Sequence, residues 1–170
     1  MNDGLHTPDC IRTFTGIYVN VFQPTVDMIR IEDIAHALSH QCRFSGHTKE
    51  FYSVAQHSVL CSEIVDKCGD YDNVLPALLH DSPEAYLVDV PTPIKYKLAD
   101  YKPIENNLMK VIAEKFGFPF PFDKIIKQAD EMMLQREWEQ LMIGNVNHFT
   151  CWSPKEAKEK FLETFYELSK

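Results

Sequence analysis

Apolar residues recur at helical spacing along most of the chain. They lie three or four positions apart in successive segments, which predicts a mostly α-helical protein. Residues 11–22 are instead rich in β-branched and aromatic side chains, and Gly16 permits a turn there, so a short N-terminal β-hairpin or extended arm is predicted. The predicted helices span residues 31–38, 52–65, 74–87, 103–116 and 123–142, and a last helix begins at residue 153.

Capping residues and one proline refine these helices. Asp123 is placed to cap the helix that follows it, and Ser153 with Glu156 forms a capping box at the start of the last helix. Pro83 falls inside the predicted helix 74–87, where it removes a backbone donor and clashes with the preceding turn. We therefore expect that helix to be disturbed near its centre, where His80 also lies.

The length and composition indicate one domain. At 170 residues and 45% hydrophobic content, the chain can bury one substantial core, and no repeat, low-complexity tract or linker divides residues 1–170. No apolar run reaches ~18 residues and no signal-peptide pattern is present, so a soluble, cytoplasmic protein is expected. The five cysteines form no CxxC pair, which indicates reduced thiols that mainly pack rather than disulfides or a thiolate zinc site.

The net charge of −8 weighs against binding to a long polyanion, because nucleic-acid binders usually present a basic surface. A small anion needs only a local cluster of cationic side chains or a metal. The expected partners are therefore small molecules, with no nucleic-acid polymer and no membrane.

The dipeptide His80-Asp81 ends an apolar run that should be buried. A carboxylate removed from water costs several kcal/mol unless it is paired or bound to a cation. Asp130 shares the apolar face of its own helix, and His57 lies one turn from apolar residues of another. Nitrogen and oxygen ligands that point inward from three helices suit one divalent transition metal in a helical bundle. The alternative is that hydrogen bonds satisfy each residue separately, with Asp130 as a capping residue or paired to Arg136.

These residues resemble the motif of the HD-domain superfamily of metal-dependent phosphohydrolases. The superfamily pattern is a histidine, a later His-Asp pair and an aspartate on a third helix, which here are His57, His80-Asp81 and Asp130. Within it, the chain is most similar to single-domain bacterial 5'-deoxynucleotidases and to phage enzymes that hydrolyse deoxynucleotides, dATP included. The resemblance spans roughly residues 31–133 and implies an HD-type helical bundle.

The resemblance also implies catalytic and substrate-binding roles. Glu84 would be the acid/base residue beside the metal ligand Asp81, and Arg43 and Lys95 would bind phosphate. Asp89 would contact the sugar. Phe44 stands where the bacterial enzymes have a tryptophan that excludes the ribose 2'-hydroxyl, so a less strict choice of deoxyribose is expected.

The implied activity is hydrolysis of a deoxynucleotide phosphoester by metal-activated water. The products would be a deoxynucleoside with phosphate from a dNMP, or with polyphosphate from a dNTP such as dATP. The ligands suit Zn, Co or Mn, with Mg as a candidate second ion. Relatives form homo-oligomers, and the apolar segments 17–22 and 116–122, which we expect to be exposed, suggest the same.

Two other functions remain open from the sequence. One is a phosphodiesterase of a cyclic or signalling nucleotide, which further histidine ligands for a second metal would favour. The other is a non-catalytic nucleotide-binding sensor, which loss of a ligand or of Glu84 would favour. The histidines outside the motif are His6, His36, His40, His47 and His148.

Overall fold

Helices form most of the structure, as the apolar pattern predicts. The computed structural model describes residues 8–144 and 149–170. The α-helices of these residues are α1 (Ile31–His40), α2 (Val54–Lys67), α3 (Val74–Leu78), α4 (Glu84–Leu87), α5 (Thr92–Lys95), α6 (Tyr101–Phe116), α7 (Lys124–Glu137) and α8 (Pro154–Leu168).

The predicted N-terminal hairpin is confirmed. Strands β1 (Cys10–Arg12) and β2 (Tyr18–Asn20) pair antiparallel, and Gly16 takes a positive φ of 87° in the turn between them. The backbone nitrogen and hydroxyl of Thr15 donate to the carboxylate of Asp33, at 2.7 and 2.8 Å. This buried carboxylate therefore fixes the hairpin to the first turn of α1.

Helix α2 lies at the centre of the helical packing. It contacts α1, α3, α7 and α8, while α1 also packs against α4 and α8. Because these contacts join the N-terminal and C-terminal helices, the described residues form one unit around α2. The fully buried side chains of its main core include Ile34, Leu38, Val54, Leu78, Leu108, Ile112 and Phe161.

The predicted helix 74–87 is two short helices joined by a turn. Helix α3 ends at Leu78, and α4 begins at Glu84. The prediction that Pro83 disturbs the helix is confirmed, since its ring cannot donate to the carbonyl of Leu79, and Ser82 donates to that carbonyl instead, at 3.0 Å. His80 and Asp81 consequently lie in the turn rather than in the middle of a helix, which corrects the position predicted for them.

Helix α7 ends earlier than predicted and continues as a wider turn. Asp123 caps it as expected, accepting from the nitrogen of Ile125 at 3.0 Å. A π-helical segment, Trp138–Ile143, then replaces the last turns of the predicted helix 123–142. Gly144 closes this segment at a point where a Cβ atom would come within 2.5 Å of the Glu139 carbonyl oxygen. Only glycine fits so close an approach.

The expectation that two apolar segments are exposed is wrong. Phe118 is 8% exposed, and Ile17, Phe116 and Phe122 pack against the main core, while Phe22 at 52% is an exception at the end of the hairpin. The homo-oligomer therefore stays a prediction without this support. The longest described helix, α6, has 16 residues and falls short of a membrane span, and none of the other described helices is long and apolar enough to be one.

Candidate metal centre and adjoining cavities

His57 reaches the interior from the first turns of α2. The helix starts after Ser53, whose hydroxyl accepts from the nitrogen of Gln56 at 3.1 Å, and this start turns His57 towards α7. The ring is fully buried, and its Nδ1 lies 2.6 Å from Oε1 of Glu137. Because a carboxylate only accepts, Nδ1 is the donor, and Nε2 is left to carry the lone pair when the ring is neutral.

His80 presents the same ring nitrogen from the turn between α3 and α4. Its Nδ1 lies 2.7 Å from the carbonyl oxygen of Ala77, which can only accept. Its Nε2 is buried and has no hydrogen-bond partner among the described residues. A buried ring nitrogen whose opposite side is held by a carbonyl is the arrangement of a metal-ligating histidine.

Both predicted carboxylates lie beside these two nitrogens. Oδ2 of Asp81 is 3.6 Å from Nε2 of His57 and 3.3 Å from Nε2 of His80. Oδ1 of Asp130 is 3.2 and 3.9 Å from the same two atoms. Nitrogen and oxygen ligands at 2.0–2.1 Å from a tetrahedral ion are about 3.3 Å apart, so the four side chains fit one transition-metal ion with small adjustments.

Cys61 adds a ligand type that the sequence analysis assigned to packing. It lies one turn after His57 on α2 and is 1% exposed, with Sγ 3.4 Å from Nε2 of that histidine. Ligand atoms of His57, Cys61, His80 and Asp130 all lie within 4.8 Å of one another. This buried cluster could hold a metal ion. The spacing of four residues between His57 and Cys61 places both on one face of a helix, and this was the sequence pattern from which Cys61 could have been predicted as a ligand.

Glu137 is the residue of the site that the sequence analysis missed. Its carboxylate is fully buried and accepts three hydrogen bonds, from Nδ1 of His57 at 2.6 Å, the hydroxyl of Tyr52 at 2.6 Å and Nε of Arg43 at 3.1 Å. Burial alone would raise its pKa, but the charges on His57 and Arg43 outweigh burial and lower the pKa of Glu137. It therefore stays ionised and orients the His57 ring.

The protonation of the cluster reflects its excess of carboxylates. Burial lowers the pKa of His80, but the negative charges of Asp81 and Asp130 outweigh burial and raise that pKa to about 10. Burial raises the pKa of Asp130, yet the contact with Nε2 of His57 and the positive charges on His57 and His80 hold that pKa far below its ordinary value. A bound cation would compete with protons for these histidines.

Glu84 lies next to this cluster, in a nearly dry environment. The residue is 5% exposed, Oε1 pairs with Nζ of Lys95 at 3.2 Å, and Oε2 is buried without a hydrogen-bond partner among the described residues. Burial first, and then the charges of Asp81 and Asp89, raise the pKa of Glu84 well above its ordinary value. A carboxylate of this kind can hold a proton at neutral pH.

The predicted substrate-binding residues divide between two cavities. Arg43, Phe44 and Asp89 line a cavity of about 900 Å³. Lys95 lines a second cavity of about 490 Å³, together with the predicted ligands His80, Asp81 and Asp130 and with Lys102, Glu105, Lys124 and Lys127. Arg43 connects the two, because its Nη1 is 3.6 Å from Oδ2 of Asp81.

Comparison with known proteins shows the family of the chain. It is 44% identical over 151 residues to the uncharacterized protein YfdR of Escherichia coli (strain K12), a match covering 89% of this chain and 83% of YfdR. The chain belongs to the YfdR family. A second relative, the uncharacterized protein RCAP_rcc00048 of Rhodobacter capsulatus, is 35% identical over 140 residues, or 76% of this chain and 71% of that protein. A scan against protein-family models finds no match.

In this member of the YfdR family, the structure brings all four predicted ligands together with Glu84 and Arg43. Among the described residues, the one close group of three or more metal-ligating side chains is that around His57. His36 stacks instead on Phe14, with ring centroids 3.9 Å apart, and on His40 at 4.2 Å. His6 and His148 lie outside the described residues. The part of the chain that is described therefore contains no second histidine group that would favour a phosphodiesterase.

Proposed function

We propose that this protein is an HD-type, metal-dependent phosphohydrolase that cleaves the phosphoester bond of a deoxynucleotide. The observation that carries the proposal is the buried Nε2 of His80, which has no hydrogen-bond partner among the described residues while its Nδ1 is held by Ala77. Its neighbours are two carboxylates and Nε2 of His57, whose Nδ1 is likewise held by an acceptor. Hydrogen bonding alone does not satisfy this set, whereas a divalent cation does.

His57, His80, Asp81 and Asp130 would hold the metal. When bound, a divalent ion polarises a phosphoryl oxygen and lowers the pKa of water, which supplies a nucleophile at neutral pH. Nitrogen and carboxylate ligands suit Zn, Co or Mn, and Mg as a second ion. The thiol of Cys61 would favour the softer ions of this group.

Glu84 is the proposed acid/base residue. Its raised pKa lets it keep a proton in the folded protein, and it can donate that proton to the leaving oxygen of the deoxynucleoside. Nζ of Lys95 contacts Glu84 at 3.2 Å and Glu105 at 3.1 Å, so it holds the carboxyl group in place. An incoming phosphate would compete with Glu105 for this ammonium group, which agrees with phosphate binding by Lys95.

Arg43 is the second proposed phosphate-binding residue. The side chain is 11% exposed and lies between the carboxylates of Glu137 and Asp81, which, despite burial, raise the pKa of Arg43 and keep it charged. A permanent cation beside a metal ligand can neutralise the charge of a phosphoryl group. Asp89, on the wall of the same cavity, is the proposed contact to the sugar.

The test is hydrolysis by the purified protein after metal removal and reloading. The protein is incubated with each dNMP, dNDP and dNTP in the presence of Mn, Co, Zn or Mg, and the products are identified. We expect release of phosphate or polyphosphate, lost in His80→Ala and kept in the control His36→Ala, whose ring stacks on Phe14 outside the cluster. No release from any nucleotide with any metal, or full activity of His80→Ala, would overturn the proposal.

A further inference from the structure

An apolar groove adjoins the metal centre, and beyond Arg43 and Asp89 its apolar wall has no role in the chemistry described above. It is the 900 Å³ cavity between the turn Arg43–Gly46 and helix α7. Ile94, Leu134 and Trp138 are 53%, 44% and 49% exposed, and they line this one concave surface. Exposed large apolar residues that cluster in a cleft indicate a binding site more often than scattered ones do. The apolar wall includes Phe44, Pro91, Ile94, Leu134, Trp138 and Met142.

Helix α7 joins the groove to the metal centre. One face of the helix supplies Asp130 to the centre and ends with Glu137, which orients His57. The neighbouring face supplies Leu134 and Trp138 to the groove. Arg43 reaches both, since it lines the groove and contacts the carboxylates of Glu137 and Asp81. If the phosphate of a ligand lies at the metal centre, the rest of that ligand therefore lies next to the groove.

Unusual backbone conformations lie on both walls of the groove. Phe44 and Ser45 have φ of 52° and 53°, and Val88, next to Asp89, has φ 69° and ψ 151°. These conformations are unfavourable for residues with a Cβ, and most of all for a β-branched one. The Val88 segment is held in place because the Tyr101 hydroxyl donates to the Val88 carbonyl at 2.8 Å. Strained residues held in this way cluster at ligand sites.

The wall chemistry defines the ligand. The rings of Phe44 and Trp138 lie 6.3 Å apart, tilted by 47°, and offer aromatic faces, while Gln135 and His47 supply hydrogen-bonding groups at the margin. Planar heteroaromatic rings with polar edges fit such a surface, since they stack on aromatic side chains and form hydrogen bonds at their edges. We propose that this groove binds the base of the substrate, with Trp138 as the main stacking residue. The proposal rests on the proposed phosphohydrolase function and adds that a base is required for efficient turnover.

The kinetic test compares substrates with and without a base. The Mn-loaded protein is assayed with the four dNMPs and with deoxyribose 5-phosphate. We expect Trp138→Ala to raise KM for the preferred dNMP by roughly 5- to 20-fold, the lower part of the range for loss of a base–aromatic stack, since Trp138 is only half covered. KM for deoxyribose 5-phosphate should not change. The control is Met132→Ala, which removes an exposed apolar side chain of α7 outside the groove.

A binding measurement keeps the test independent of turnover. Trp152→Phe leaves Trp138 as the one tryptophan of the chain, so fluorescence then reports on the groove. Deoxyadenosine and thymidine should change this fluorescence, and deoxyribose should not. Three results would each overturn the inference. They are equal kcat/KM for deoxyribose 5-phosphate and every dNMP, identical KM values in Trp138→Ala and Met132→Ala, and no fluorescence change with any deoxynucleoside. The two kinetic results would leave the phosphohydrolase proposal intact. If no phosphate is released from any nucleotide, that proposal is refuted, while the fluorescence measurement still tests base binding.

Discussion

The substitution Glu137→Gln tests how far the metal centre depends on a residue that would not touch the metal. The glutamine keeps the shape of the side chain but replaces one acceptor oxygen by an amide donor. In the native protein one oxygen accepts from His57 and Tyr52, each at 2.6 Å, and the other accepts from Arg43 at 3.1 Å. Whichever way the amide turns, at least one buried donor loses its acceptor.

Two consequences follow from these contacts. A hydrogen bond to a charged group contributes ~1.5–3 kcal/mol, and a broken buried ion pair costs ~3–5 kcal/mol, so we expect the metal-free variant to lose about 3 kcal/mol of unfolding free energy. The His57 ring also loses the acceptor that keeps its proton on Nδ1. Loss of such an outer partner typically lowers metal affinity by about 10- to 100-fold, and we expect a decrease in that range.

The assay is urea unfolding of the metal-free protein, together with competition for Zn or Co against a chromophoric chelator. Glu139→Gln is the matched control, since Glu139 is exposed on the π-helical segment that follows α7 and its carboxylate accepts from Gln135 at 3.0 Å. It should behave like the native protein in both measurements. If Glu137→Gln binds metal as tightly as this control, the orienting role of Glu137 is refuted.

Three further predictions concern the remaining groups of the site. Glu84→Gln should lower turnover by about 10²- to 10⁴-fold in steady-state assays while the circular-dichroism melt keeps its midpoint, and near-native turnover would contradict an acid/base role. The pKa of His80 is raised from 6.5 to about 10, so its contribution to the stability of the metal-free protein is complete below pH 6.5 and is lost as the pH rises towards 10. Unfolding free energies of the metal-free protein should therefore fall across that range while metal affinity rises, and a smaller fall in His80→Ala is the control, because the raised pKa of His57 still contributes in that variant. The Co-loaded protein should show a thiolate-to-cobalt charge-transfer band that Cys61→Ser lacks; the same spectrum in both proteins would show that Cys61 is not a ligand.

Local patterns in the sequence were sufficient for most of the helices and for the inward direction of His57. The helical phase of His57 placed it among apolar residues, and the structure buries it completely. Asp130 lies at the edge of the buried face of α7, with a side chain 40% exposed. Its helical position therefore predicted the correct face but too complete a burial. Pro83 predicted a disturbed helix near His80 because of its steric effect. The sequence did not show that the disturbance would be a turn, nor where His80 would lie in it.

The parts that could not be predicted depend on contacts between distant segments. Glu137 belongs to an amphipathic helix end where a glutamate is ordinarily solvated. Its burial depends on Tyr52 and Arg43, which precede it by 85 and 94 residues. The groove has the same origin, because Trp138 and Phe44 come from separate segments that only the packing of α7 brings together. Helical periodicity carries no information about such pairs.

The most direct test of the account is the rate of phosphate release from deoxynucleotides before and after metal reloading of one chelator-treated sample. The account predicts no release from the metal-free protein and recovery of release when a stoichiometric amount of Mn, Co or Zn is added. Release that persists without metal, or its absence with every metal and every deoxynucleotide, would contradict the claim that His57, His80, Asp81 and Asp130 form a hydrolytic metal centre.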